Sequence, residues 1–381
     1  MVAVPRFSRR SVIAMVAATS ALPLTGLRGR RAHGQTGGLS RARYGEMTVI
    51  DAKCFLNDSD PTVAAGGMSD DLAAAARASG LRVISSTMGG SGSMEDLTAA
   101  IDDANARIAS RPQMFMRVLQ ASDIEEARRT GRIGVAYDVQ GTAEIGSDAG
   151  GVARLKELGI RTVQLTYNLH SATGDGCMVP EDKGMTVFGR DVVAEINRLG
   201  LLLDASHVGK RTAAEAIVAS TRPPAITHAG CDALMPHPRH VPDSTLRLLA
   251  DKGGVFGIYL MPYLVEKGQA HKEDVLRHIE HAINVCGEDH VGIGTDGGIP
   301  PLDLTPEYRE YWRTQVYEPR VEQGVAAPNE GADIFNYIPE YNAADRYYLI
   351  GDDLMRRGHS VARVEKILGA NFARLYGEVW A

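Results

Sequence analysis

Between Leu201 and Asp296 a run of apolar residues breaks into polar chemistry three times. Leu201-Leu202-Leu203 meets Asp204-Ala205-Ser206-His207, Pro224-Ala225-Ile226 meets Thr227-His228, and Val291-Gly292-Ile293-Gly294 meets Thr295-Asp296. A short apolar run bounded by turn residues reads as a strand buried on both faces, the environment of a parallel sheet. Three such strands, each delivering a His or Asp at its C-terminal end, place those groups on one face of an α/β barrel. Two imidazoles and a carboxylate gathered there are what metal-assisted hydrolysis requires.

The rest of the chain repeats the pattern. Strands are expected at 47–51, 81–86, 133–140, 162–167, 201–207, 224–228, 255–260 and 290–296. Helices are expected at 70–78, 94–108, 153–158, 187–199, 211–220, 243–252 and 270–286. Eight strands alternating with helices give the (β/α)8 count of a TIM barrel. A doubly wound sheet is the competing architecture, but no GxGxxG follows the first strand. A single barrel domain is expected over 45–381. Its insertion at about 301–339 opens with two prolines and reads as a long loop with short helices over the barrel mouth, where lids are found. Two final helices are expected at 343–357 and 361–376.

The N-terminal 34 residues stand apart. Ser8-Arg9-Arg10-Ser11-Val12-Ile13 sets a twin arginine before an apolar run to Leu24, and Ala32-His33-Gly34 is a small-x-small cleavage site. The run is too short to span a bilayer comfortably. These features predict a twin-arginine signal and a periplasmic or secreted mature protein. No other segment is apolar enough for a membrane span. The net charge of −6 comes with no basic stripe, which argues against nucleic acid as a partner. The four cysteines are too scattered for a disulfide framework or a CxxC metal site and read as free buried thiols.

Several stretches carry a resemblance in their order. They are Phe188-Gly189-Arg190-Asp191-Val192-Val193, Asp204-Ala205-Ser206-His207-Val208, Thr227-His228-Ala229, His237-Pro238-Arg239-His240-Val241-Pro242-Asp243, Gly292-Ile293-Gly294-Thr295-Asp296 and Lys366-Ile367-Leu368-Gly369-Ala370-Asn371-Phe372. The set resembles the membrane dipeptidase (renal dipeptidase, peptidase M19) family. The resemblance implies a TIM barrel of the metal-dependent hydrolase type and a zinc dipeptidase. In that family two zinc ions share a bridging Glu. One ion takes a His and an Asp from the first strand, the other a His from each of strands five and six. His207 and His228 match the second pair, Asp296 the acid–base group on strand eight, and Arg239 the residue that meets the substrate carboxylate, for which a planar fork is suited.

The departures matter as much. Where the family has Asp-Gly-His-Asn-Asp, this chain reads Asp51-Ala52-Lys53-Cys54-Phe55, unless a gap slides Asn57-Asp58 into place. The bridging Glu is replaced by Gln140, and the strand-four His by Tyr167, whose hydroxyl can donate to a scissile carbonyl instead. The first metal site is therefore expected to be dismantled and the second kept in part. At most one zinc would sit on His207, His228 and Gln140 or Asp296, or none would. Lys53 is expected as a cation replacing the lost zinc on the substrate side, and His240 as a mouth residue beside Arg239. Asp204 and Ser206 are expected to orient His207, and His271, His278 and His281 to be solvated. The function expected is hydrolysis of a small amide or dipeptide with a free carboxylate, with a homodimer as an open alternative to a monomer. The rival is a metal-free pseudoenzyme or periplasmic binding protein on the same barrel. Replacing Arg9 and Arg10 with Lys should leave precursor in the cytoplasm; mature protein still reaching the periplasm would exclude the twin-arginine route.

Overall fold

The computed structural model describes residues 37–56, 66–90 and 92–380. The N-terminal segment and Asn57-Asp58, invoked above, lie outside them. Eight parallel strands follow one another around the sheet: β1 (Val49–Asp51), β2 (Leu81–Gly89), β3 (Ile133–Val139), β4 (Ile160–Gln164), β5 (Leu202–Asp204), β6 (Ala225–Cys231), β7 (Val255–Ile258) and β8 (Val291–Ile293). The Ala52 N–H donates to the Ile293 carbonyl at 3.0 Å, and the Asp296 N–H to the Lys53 carbonyl at 2.8 Å. These bonds join the first and last strands and bring the sheet to a nearly closed barrel. All seven residues of β3 and of β6 are buried, as expected for strands covered on both faces.

The eight strands and their helices occur where the apolar periodicity places them. Val187–Leu199 is one such helix, capped by the Thr186 side chain and closed by Gly200 at φ +68°. β3, β4, β5, β7 and β8 end earlier than the apolar runs suggest, whereas β2 and β6 run on to Gly89 and Cys231. Leu202–Asp204 stops where the Asp204 carboxylate turns back to accept the Ser206 N–H at 2.9 Å. Three elements have too little signal to be read from sequence. They are the helices Arg41–Glu46 and Ser122–Thr130 and the strand Phe115–Arg117, which pairs with β3. The second helix buries only Ile124 and Ala127, and the strand buries one of three residues. Within the insertion, Pro306–Tyr311, a π-helical Trp312–Tyr317 and Glu318–Glu322 form one helical run.

The C-terminal rim is tied together by three buried aspartates. Asp51 accepts from the backbone of Lys53 and Thr295 and from the hydroxyls of Thr295 and Tyr347, at 2.5–3.0 Å, fastening β1 to β8. Asp204 accepts from the backbone and hydroxyl groups of Ser206 and Thr227 at 2.6–3.0 Å, fastening β5 to β6. Asp138 accepts from Ser85 at 2.8 Å and Thr87 at 2.9 Å and pairs with the Lys53 ammonium, both partners being 1% exposed. Close backbone approach does the rest. A Cβ at Gly257 or Gly294 would stand 1.9 or 2.0 Å from the Thr227 carbonyl oxygen, so only glycine lets β6 settle between its neighbours.

His278 departs from its expected place. It is fully buried, its Nδ1 accepting the Cys231 N–H at 2.9 Å, whereas His271 is exposed and His281 bonds Asp243. All four cysteines are free, three of them buried. Removing one charge from a buried pair leaves the other uncompensated, so Asp138→Asn should cost about 3–5 kcal/mol. Chemical denaturation at constant slope would read that loss. The double variant Lys53→Met/Asp138→Leu should recover most of it, and a single-variant loss below ~1 kcal/mol would show that Lys53 has another partner.

Candidate metal centre

His207 and Asp296 reach the barrel mouth from just beyond the ends of β5 and β8, and His228 from within β6. One ligand atom from each lies within 4.8 Å of the other two. His207 at φ +63° and Asp296 at φ +58° both occupy the left-handed region, which costs a residue with a Cβ about 1–3 kcal/mol and clusters at working sites. Each is held there by a backbone bond: Cys177 N–H donates to the His207 carbonyl at 2.7 Å, and Asp296 N–H to Lys53.

The hydrogen-bond network fixes which imidazole nitrogens are unprotonated. Asn168 donates its Nδ2 to the Val325 carbonyl at 2.8 Å, which leaves its Oδ1 to accept from His207 Nδ1 at 2.7 Å. His207 Nδ1 therefore carries the proton, and Nε2 keeps its lone pair. That Nε2 is buried with no partner in the protein. The Thr227 hydroxyl donates to the Asp204 carboxylate at 2.6 Å, so its oxygen accepts from His228 Nδ1 at 2.8 Å. His228 Nε2 then keeps its lone pair as well and accepts from the Gln140 amide at 3.3 Å. Burial drives both imidazole pKa values well below the usual range, and the charge of Arg239 pushes the same way. Both rings are thus neutral, the state in which imidazole binds a metal.

Beside them lies a cavity of about 170 Å³. Gln140, Tyr167, His207, Arg239 and Asp296 line it from the barrel, and Arg320 from the insertion. Tyr167 stacks on His207 with ring centres 4.3 Å apart. Arg239 is 4% exposed and makes no ion pair among the described residues. Its Nη2 donates to the His228 carbonyl at 3.4 Å, and its Nη1 has no partner. A buried guanidinium with an unmet donor calls for an anion. Burial raises Asp296 to about 6, against the opposing pull of Arg239, Lys53 and Arg320.

Six of the residues singled out in the sequence thus converge: His207, His228, Asp296, Gln140, Tyr167 and Arg239. Two do not. Lys53, expected to face the substrate, turns inward to Asp138 and to Thr87 at 3.0 Å. His240, expected at the mouth, is 2% exposed, bonds the Met235 carbonyl through Nδ1 at 2.6 Å, and lines a separate small void behind Arg239. His207 is oriented directly by Asn168, whereas Asp204 and Ser206 act on the β5–β6 backbone, and Asp204 reaches His228 through Thr227. Asn168, Arg320 and Glu330 join the site without a motif of their own in the sequence. The Asn following Tyr167 was the one available sign.

The donors fit one metal ion. Two unprotonated imidazole nitrogens and a carboxylate make a three-ligand set that leaves a position for water or substrate. No second group of three such ligands occurs among the described residues. The family model for membrane dipeptidase (peptidase family M19) matches residues 55–305. Dipeptidase tcpJ of Claviceps purpurea is 29% identical over 68% of this chain and 54% of its own length. Dipeptidase verJ of Clonostachys rogersoniana is 32% identical over 46% of each. The chain spans about half the length of the curated relatives it matches. Among solved structures, an amidohydrolase from Pseudomonas aeruginosa is 28% identical with a TM-score of 0.76, covering 90% of this chain and 99% of that one. A metallo peptidase from Rhodobacter sphaeroides, liganded with a phosphinate mimic of the dipeptide L-Ala-D-Ala, shares the fold with a TM-score of 0.68 at 18% identity over 88% of this chain and 99% of that one. With the family model matching well over half of its length, the chain belongs to the membrane dipeptidase family, peptidase family M19.

Proposed function

We propose that this protein is an exported dipeptidase-like hydrolase that cleaves a small amide carrying a free carboxylate, with at most one zinc ion per chain. The observation that carries the proposal is the pair of neutral imidazoles, each with an unprotonated Nε2, grouped with the Asp296 carboxylate. His207 and His228 would hold the ion, with one Asp296 oxygen completing the set. When bound, zinc supplies an acidified water and a Lewis acid for the carbonyl. The protein's own groups do the rest. Arg239 binds the substrate carboxylate. Tyr167 offers a hydroxyl to the carbonyl oxygen. Asp296, through its other carboxylate oxygen, takes a proton from the attacking water and passes it to the amine as the C–N bond breaks. A C–O bond forms, a C–N bond is lost, and a carboxylate and an amine leave.

The single-ion count rests on charge. Two dications about 3.5–4 Å apart need an anion between them, and here the bridging position is the neutral Gln140. Where the family's first-strand His stands, the Lys53 ammonium pairs with Asp138. A second reading, a metal-free binding protein, is favoured by one contact: the Gln140 amide lies 3.3 Å from the His228 Nε2 that a metal would need.

Elemental analysis after dialysis should return about one zinc per chain or less, and His207→Ala should abolish it. Two tightly held equivalents would overturn the ligand assignment, and none would favour the binding protein. Arg239→Lys gives up a bidentate contact, so KM for dipeptides with a free carboxylate should rise at least ~10-fold with kcat less affected. Equal KM for a dipeptide and its C-terminal amide would remove Arg239 from substrate recognition. L-Ala-D-Ala and its phosphinate mimic are suitable first probes within a panel of dipeptides.

A further inference from the structure

Arg320 lies far from the barrel in sequence and close to its chemistry in space. It is carried on the helical run 306–322 of the insertion, and its Nη1 donates to the Tyr167 hydroxyl at 2.8 Å. The rest of its fork is fixed. Nε and Nη2 donate to the two Glu330 oxygens at 2.8 and 2.7 Å. Glu330, its side chain 4% exposed, also accepts from the Tyr263 hydroxyl at 2.7 Å and the Ala327 N–H at 3.0 Å. Asn329 anchors the same segment through three backbone carbonyls of residues 262–268. Arg320 is therefore held rigidly over Tyr167.

That contact sets the direction of a hydrogen bond. A guanidinium can only donate, so the Tyr167 oxygen must accept from it. The hydroxyl proton is left over, and Tyr167 makes no other side-chain hydroxyl bond among the described residues. The phenol lines the cavity while its ring lies on His207. A proton with no protein acceptor, polarised by an adjacent cation, is a donor aimed at a ligand oxygen. Glu330 tempers the charge of Arg320, so the pair delivers a directed donor rather than a free cation for a second substrate carboxylate.

We propose that Arg320 is a positioning residue that acts through Tyr167, orienting its hydroxyl as the donor to the oxygen that becomes negative during amide cleavage. This rests on the hydrolase reading above and adds to it that the insertion is part of the reaction apparatus. The bond to be stabilised is the carbonyl C–O as it gains electron density; the proton stays on Tyr167. The same segment acts on the neighbouring residue, since the Val325 carbonyl orients Asn168 and thereby His207.

The test is a double-mutant cycle on the full chain with the best dipeptide of the panel, paired with calorimetric binding of the phosphinate mimic, whose oxygens imitate the tetrahedral state. Loss of one oxyanion donor costs ~10²–10³-fold in kcat, so Tyr167→Phe should fall in that range. Arg320→Met should lower kcat at least ~10-fold with KM nearly unchanged, and weaken phosphinate binding by a similar factor. In the Tyr167→Phe background the Arg320→Met effect should shrink to less than ~3-fold in both measurements, because the residue it acts through is gone. Arg320→Lys, which keeps one donor, should recover part of kcat. Additive losses, or an effect of Arg320→Met on KM alone, would overturn the inference and leave the hydrolase reading intact. A wild-type protein that neither cleaves any dipeptide nor binds the phosphinate would overturn both.

Discussion

The buried ion pair between Lys53 and Asp138 underlies both the barrel and the site. An ammonium and a carboxylate taken out of water are expensive to bury, and only good pairing with further hydrogen bonds offsets the cost. Here Ser85 and Thr87 supply those bonds, so β1, β2 and β3 meet around one charge-neutral knot. The pair also decides what the mouth can hold. It occupies the first-strand position with a fixed internal cation already satisfied, and leaves the donors of β5, β6 and β8 as the place for an ion.

Around that knot the rim is built from side chains that hold backbone, and strain is concentrated in two residues. His207 and Asp296 both adopt left-handed conformations that ordinary residues avoid. Asp204 and Asp51, each accepting four hydrogen bonds, fix the strand ends just before them. The stable carboxylate clamps sit directly beneath the strained ligands, which is how a fold can over-determine an unfavourable conformation.

Much of this was legible in the sequence, for physical reasons. Strands buried on both faces must be apolar runs, so all eight could be counted. Residues that interrupt such runs at their C-terminal ends must face the mouth, so His207, His228 and Asp296 could be named together. The partner of Lys53 could not, because which side of the barrel wall a long side chain takes depends on a carboxylate 85 positions away. His240 was misplaced because a loop beside a site residue need not point the same way; its Nδ1 is turned toward Met235. Arg320 and Glu330 gave no sign at all. Their segment has no strand period and mixed charge, and its meaning lies only in the two hydrogen bonds it makes to Tyr167 and Asn168.

The seam of the barrel has a temporal consequence. Thr295 bonds Asp51 across 244 positions of sequence, and Asp296 hangs from the carbonyl of Lys53. Contacts of such separation form late, since the loop they close must first be brought together. Asp296 takes its place only where the last strand docks on the first, so the triad is complete only when the seam is shut. Ligand capture at this rim then reports that the cylinder has shut, and whatever binds the finished triad adds its free energy to keeping it so.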